Sequence, residues 1–398
     1  LHLLQLLNAH STKTISVGRI FFCHRTRAPT KRCVDFLYVF CRTFVYFHVF
    51  TVILLSYFIS TGANEMTKDT KYLQISAAID IGYSSVKIVS GAASGKPKSI
   101  ILPSGAGPLT LLPRSFGGTN SDYPTVQIGG ESWAAGIDPT KLDGWSRELH
   151  ADYPSTDQYM ALYLAALLVT GADTIDRLVT GLPVSQAQDN GRVDTLRATL
   201  TGTHQITPQR KITVKQVDVI PQPVGAWLDY VTNQASDAEL AVLSSRVLVI
   251  DPGFFSTDWT VIEGGDMRGA YSGTSTIAMS ATLEEANRLI AIDHGGSVGR
   301  DRLDRTLRDG GSSISVYGQV IEIADYIAKA ATTTARQALA EMRQNLRLDT
   351  APYDAILLTG GGAKVYADAV KHIYPHAKIL TAKDTVCANA RGFWSYAQ

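Results

Sequence analysis

The chain has 398 residues, 45% of them hydrophobic and 18% charged, with a formal net charge of +1. That length allows two domains with substantial cores, and the balanced charge points to neither nucleic acid nor membrane as an obvious partner. The average hides a split: residues 1–65 hold seven Lys/Arg and two acids, whereas the remainder holds 30 basic and 34 acidic residues, a net of −4.

Residues 1–65 look foreign to the rest of the chain. Thr43 to Ser60 is an almost uncharged run dense in Phe, Tyr, Val and Leu, preceded by scattered basic residues. Taken literally it is a signal anchor or transmembrane helix with a cytoplasmic basic flank, although short for a span. Met66 to Lys71 then reads as an ordinary soluble N-terminus. The favoured expectation is an upstream extension with Met66 as the working start; a membrane anchor is the other reading. Three of the four cysteines lie in this part. The body keeps only Cys387, so it is not built on disulfides and suits a reducing cytoplasm.

Ile75 to Ile79 predicts a strand that runs into Asp80-Ile-Gly82, then Tyr83, Ser84, Ser85 and Lys87, then a second strand. Residues 92–150, rich in Gly, Pro, Ser and Asp, predict a small β-rich insert. Asp157 to Thr170 is apolar on all sides and predicts a buried helix. Asp176 to Pro183 predicts a strand, Arg192 to Leu200 a helix, and Lys211 to Ile220 a single alternating strand. Pro221-Gln222-Pro223 then opens a helix reaching about Asn233; Gln222 is either a plain connecting residue or one projecting into a cleft.

The first design now returns. Val247 to Ile250 reads as a buried strand ending on Asp251, with a tight turn at Pro252-Gly253. Phe254, Phe255, Ser256, Thr257 and Asp258 lead into a second strand. Glycine allows close approach of backbone to an anion, turn N–H groups can cradle phosphate, and a carboxylate can hold Mg²⁺ through waters. One such hairpin is a weak signal; two suggest a duplicated unit with phosphate loops facing each other. Helices are predicted over Ile277 to Ile292, Asp301 to Leu307 and Gln319 to Arg347, a mainly helical insert. Tyr353 to Thr359 predicts a strand before Gly360-Gly361-Gly362. Ala377 to Leu380 predicts the last strand, and Ala388 to Trp394 the start of a terminal helix.

Five motifs therefore stand in order: Asp80-x-Gly82 with Lys87; Pro221-Gln222 with Gly225-Ala226; Asp251-x-Gly253 with Thr257; Thr359 to Gly362; and Asn389-Ala-Arg-Gly392. Over about residues 72–396 this resembles the actin/hexokinase/heat-shock-chaperone ATPase superfamily. Within it the chain looks most like the bacterial ParM/StbA actin-like proteins that segregate plasmids, on the length of the body, Val179 to Pro183, and Ala388 to Phe393. The resemblance implies an α/β actin-like two-lobed fold, with duplicated ribonuclease-H-like domains and inserted subdomains. Lobe I would span 66–246 and lobe II 247–398, with the helical insert at about 276–347.

The resemblance also implies the chemistry. Asp80 and Asp251 would hold Mg²⁺. Gly82, Tyr83, Ser84 and Ser85, with Gly253, Phe254, Phe255, Ser256 and Thr257, would offer N–H and hydroxyl groups to the phosphates of ATP or GTP. Lys87 would clamp their charge, and Gly360, Gly361 and Gly362 would let backbone pass close to the nucleoside. Gln222 would orient the attacking water; it departs from the glutamate of the best-known ParM pattern and agrees with actin's glutamine. Such a protein assembles head to tail into nucleotide-dependent filaments, and a DNA-binding adaptor on a plasmid centromere-like site would be its partner, without direct contact to DNA. A small-molecule kinase using Asp258 as base, and a non-filamentous scaffold ATPase, are the competing readings. Glu284 and Arg288, four apart, predict a surface ion pair rather than a nucleotide contact.

Overall fold

Ile75–Ile81 (β1) and Ser85–Ala92 (β2) pair antiparallel as a tight hairpin. Nearly every residue of β1 is buried because it is a central strand: β2 covers one edge, and Arg177–Leu182 (β4) runs parallel along the other. A strand covered on both faces and both edges reads as a continuous apolar run. Lys98–Pro103 (β3) and Val217–Pro221 (β5) complete a five-stranded sheet in the order β5-β4-β1-β2-β3. The computed structural model describes residues 74–398, apart from 94, 114–122, 234–235 and 237–245. The Thr43 to Ser60 run and the expected start at Met66 lie outside the described residues. Among the described residues no helix is long and apolar enough to cross a membrane.

A second sheet repeats the plan. Arg246–Pro252 (β6) and Thr257–Glu263 (β7) form its antiparallel hairpin. Ala355–Leu358 (β8) runs parallel to β6, and Lys378–Thr381 (β9) runs parallel to β8. The order β9-β8-β6-β7 mirrors β5-β4-β1-β2, so the duplication expected from the two Asp-x-Gly hairpins extends to whole sheets.

Helix α1 (Asp157–Thr170) buries Leu162, Tyr163 and Leu167 against Ile79, Val86, Ile88 and Leu178 of the first sheet. Thr156 caps it, its hydroxyl accepting from the Tyr159 N–H at 3.2 Å. Each sheet's last strand leads to a helix, α2 (Gln222–Asn233) after β5 and α6 (Ala388–Ala397) after β9. These two helices are exchanged. Ala226 and Tyr230 of α2 pack on Val247, Val249 and Leu357 of the second sheet, whereas Ala390 and Phe393 of α6 pack on Ala78, Val89 and Val179 of the first. Where they cross, a Cβ on Gly392 would collide with the carbonyl oxygen of Gly225. Beside the crossing, fully buried Asp229 accepts from Nε and Nη2 of Arg391 at 2.9 and 2.7 Å.

Between β3 and α1, Gly105–Pro108, Thr125–Ile128 and Glu131–Ile137 form a three-stranded sheet, within the stretch where a β-rich insert was expected. Between β7 and β8 lie helices α3 (Met279–His294), α4 (Arg300–Arg308) and α5 (Ala324–Asn345).

Three local expectations need correction. The continuous helix over Gln319 to Arg347 does not form, because Gln319–Glu322 pairs with Ser313–Val316. Ile314, Val316 and Ile321 are buried between half-buried or exposed neighbours, a period of two, and Tyr317 (φ 49°) with Gly318 (φ 80°) supplies a left-handed two-residue turn. Lys211 to Ile220 is two strands in different sheets, Arg210–Val214 and β5; the switch falls between Lys215, whose N–H still donates to the Ile175 carbonyl, and Gln216, whose carbonyl accepts from the Leu178 N–H. Arg288 pairs with Glu285, at 2.7 and 2.6 Å, and not with Glu284; both Glu284 and Arg288 are exposed on α3.

Candidate functional site

The two hairpin tips are built alike. The Gly82 N–H donates to the Ser85 carbonyl at 3.1 Å, and the Gly253 N–H to the Ser256 carbonyl at 2.8 Å. They differ in what stands opposite the aspartate. Asp80 faces Lys87, whose Nζ lies 3.2 Å from Asp80 Oδ2, while Asp251 faces a second carboxylate, Asp258.

Asp251 therefore sits in a dry, acidic setting. It is 5% exposed, and its Oδ2 accepts from Asn389 Nδ2 at 2.8 Å. Its Oδ1 lies so close to the chain after β8 that a Cβ on Gly360 (φ 80°) would collide with it. Burial pushes the Asp251 carboxyl up to about 7; the Asn389 hydrogen bond opposes that rise, and the charges of Asp258 and Asp80 add to it. Below about pH 4 both folded and unfolded chains hold the proton; between about 4 and about 7 only the folded chain does. Protein free of nucleotide and divalent metal should accordingly lose stability as pH rises across that window, and Asp251→Asn should lack this component. Thermal melts of the two proteins across the window test it: parallel curves would mean that Asp251 titrates as an ordinary carboxyl.

Asp258 is occupied structurally. Its Oδ1 accepts from the Val184 N–H at 2.7 Å and the Thr274 hydroxyl at 2.6 Å, and its Oδ2 from the Ser256 hydroxyl at 2.6 Å. It ties the end of the first sheet to the second hairpin. A base for a kinase would have to break that set.

The tips open on one cavity of about 420 Å³, within the range of small-molecule sites. The structure brings Asp80, Gly82, Tyr83, Ser84, Ser85, Lys87, Gln222, Asp251, Gly253, Phe254, Phe255, Ser256, Gly360 and Gly361 together on its lining. Thr257 and Gly362 are not among them. Thr257 is fully buried and its hydroxyl donates to the Ile277 carbonyl at 2.8 Å; the Gly362 N–H donates to the Pro252 carbonyl at 2.8 Å, behind the second tip. Gln222 reaches the site directly, its Nε2 donating to Asp80 Oδ1 at 2.9 Å.

Side chains outside the motifs cross the cavity. The Ser84 hydroxyl lies 2.8 Å from Asp304 Oδ1, on α4. Asp304 also accepts from Arg147 and Arg308, each at 3.3 Å. Arg147 is buried; it donates to Asp301 at 2.7 Å and to the Tyr83 carbonyl, and its guanidinium lies 4.4 Å from the Phe254 ring centroid. Arg308 continues to Asp138 at 2.7 Å. Burial pushes the Asp304 carboxyl up, and Arg147 opposes the rise. The Tyr83 ring packs between Tyr153 (4.5 Å) and Phe255 (4.6 Å), joining the two tips. Arg147 had no sequence signal, because its partners Asp301 and Asp304 lie on a distant element; Asp304 and Arg308, four apart on α4, carry only the spacing of an ordinary helical ion pair.

Residues 78–225 match the model of the N-terminal domain of actin-like proteins, and residues 249–372 match the C-terminal model of the archaeal MreB-like actin homologues. The chain belongs to the actin-like proteins. No curated protein matches it significantly. Among solved structures, an archaeal actin homologue aligns at 20% identity over 81% of this chain and 99% of its own, with a TM-score of 0.63. A ParM from Clostridium botulinum, seen as a 15-stranded filament, aligns at 19% identity over 81% and 99%, with a TM-score of 0.62. ParM of Bacillus thuringiensis, with AMPPNP, aligns at 13% over 82% and 98%, with a TM-score of 0.53. At these identities the likeness is one of fold, and it covers the actin-like two-lobed α/β architecture expected from the motifs.

Proposed function

We propose that this actin-like protein binds and hydrolyses ATP with Mg²⁺ and assembles head to tail into nucleotide-dependent filaments of the ParM type, serving plasmid segregation through a DNA-binding adaptor. The observation that carries the reading is the pair of equivalent Asp-x-Gly tips facing one cavity, with helices exchanged between the two sheets. Tips on separate sheets can grip one ligand from both sides, and the angle between the sheets then depends on that ligand. The fold relatives add support: one was seen with AMPPNP and one as a filament.

The donor set fits a divalent cation. Asp80, Asp251, Asp258, Asp304 and Asp384 line the cavity against Lys87 and Arg308. A lining so rich in carboxylates repels a triphosphate unless a cation accompanies it. Buried Asp80 and Asp251 would hold Mg²⁺, which when bound neutralises phosphate charge as it develops in the transition state. Lys87 adds a fixed positive charge, and the N–H groups of the tips other than those of Gly82 and Gly253 would position the phosphates. Gln222, its NH₂ anchored on Asp80, presents its carbonyl oxygen to orient a water. Growth by a heterologous head-to-tail contact does not close, so it yields a filament.

Light scattering and pelleting of the full chain across protein concentration, with Mg²⁺-ATP, Mg²⁺-ADP or no nucleotide, test the reading. A sharp concentration threshold with ATP, followed by decay as phosphate is released, is expected. ATP binding without scattering at any concentration would sink the filament assignment.

A further inference from the structure

Asn389 is the second residue of α6, and only half of its amide is accounted for. Nδ2 donates to Asp251 Oδ2 at 2.8 Å, whereas Oδ1 is buried and has no partner. The residue is 8% exposed and lines the cavity. A buried acceptor left without a donor costs about 1–3 kcal/mol. Turning the amide over does not help when Asp251 is ionised, the form that can hold a cation, because it would set the carbonyl oxygen against the carboxylate.

The surroundings hold this amide in place. A Cβ on Gly225 would lie 2.8 Å from the main-chain carbonyl oxygen of Asn389, so the start of α6 rests directly on α2. The Asp251 carboxylate is clamped between the Asn389 amide on one oxygen and the backbone of Gly360 against the other. The orphaned oxygen therefore stands at a fixed point beside a carboxylate placed to hold Mg²⁺. Magnesium dehydrates reluctantly and keeps several waters, and those waters are strong donors that need acceptors. Groups one step out from a metal orient its ligands, and their loss typically costs 10–100-fold in metal affinity.

We propose that Asn389 is a positioning residue of the magnesium site: its NH₂ orients Asp251, and its Oδ1 accepts a hydrogen bond from a water in the magnesium shell. This rests on the function proposed above. It adds a contact from the helix that spans both sheets, so the crossing of α2 and α6 reaches the metal through one side chain.

The test is the affinity of the full chain for ATP, by calorimetry, with Mg²⁺ and with EDTA. In Asn389→Leu, which keeps the bulk and removes both polar atoms, the gain in affinity on adding Mg²⁺ should shrink about tenfold. The affinity in EDTA should stay within about twofold of the unmutated protein. Equal losses with and without Mg²⁺ in Asn389→Leu would mean that Oδ1 faces the nucleotide itself, and would overturn the proposal, as would no change in either. If Asn389→Leu does not fold, Asn389→Ala, which also removes both polar atoms, decides, and an undiminished Mg²⁺-dependent gain overturns the proposal. An unmutated protein that binds no ATP would instead remove the function proposed above, and this inference with it.

Discussion

Asp251→Asn is expected to lower phosphate release from Mg²⁺-ATP at least ~100-fold, the scale seen when one charge-stabilising group is removed from a transition state. The substitution keeps the shape of the side chain, so the clamp between Asn389 and Gly360 survives. What disappears is a negative charge on the β6 side of the cavity, leaving Asp80 as the remaining strand-end carboxylate for Mg²⁺. Asp80 alone does not make up the loss, because Lys87 already offsets its charge and Gln222 draws on its other oxygen. Single-turnover assays with saturating ATP separate this from weaker binding. Turnover within about threefold of the unmutated protein would show that the metal is held elsewhere.

Gly392→Ala is expected to have the largest effect on stability. The added methyl meets the Gly225 carbonyl oxygen, which is helical backbone and cannot turn aside as a side chain could. Either α2 and α6 separate, opening the packing of Phe393 on the first sheet and Tyr230 on the second, or one helix distorts. Overpacking of this kind costs about 3 kcal/mol or more, a fall of roughly 5 °C or more in melting temperature. Gly361→Ala is the control, since a Cβ there meets nothing within 4 Å. Similar melting temperatures for the two variants would show that the helix crossing is softer than its geometry.

Both hairpins were legible because strand, acidic turn and strand are neighbours in sequence, and local pattern carries them. The same pattern holds the reason why Thr257 misses the cavity. Side chains alternate along a strand. With Ser256 and Asp258 turned to the cavity, Thr257 must face the other way, toward Ile277 and Tyr366. The hydroxyl-rich composition of the tip obscured that parity. Gln319 to Glu322 misled for a related cause: short apolar runs fit both periods, and the Tyr317-Gly318 turn decided between them. The helix exchange had no local signature. Gly225 and Gly392 are marked as motif residues, but that they touch follows only from which sheet each helix covers. Arg147 and Asp304, 157 positions apart, are likewise joined by topology alone.

The ring of charges on α4 carries a consequence for exchange under the proposed function. Arg305 is 48% exposed where it meets Asp138, so salt screens that outer pair; Arg147 and Asp304 are buried and feel salt little. The rim thus has a loose outer fastening and a firm inner one. Ionic strength would set how often the outer pair lets go, while release of a spent nucleotide waits for Asp304 to part from Ser84. A monomer could then retain ADP for a time set by its surroundings, delaying its return to a growing filament.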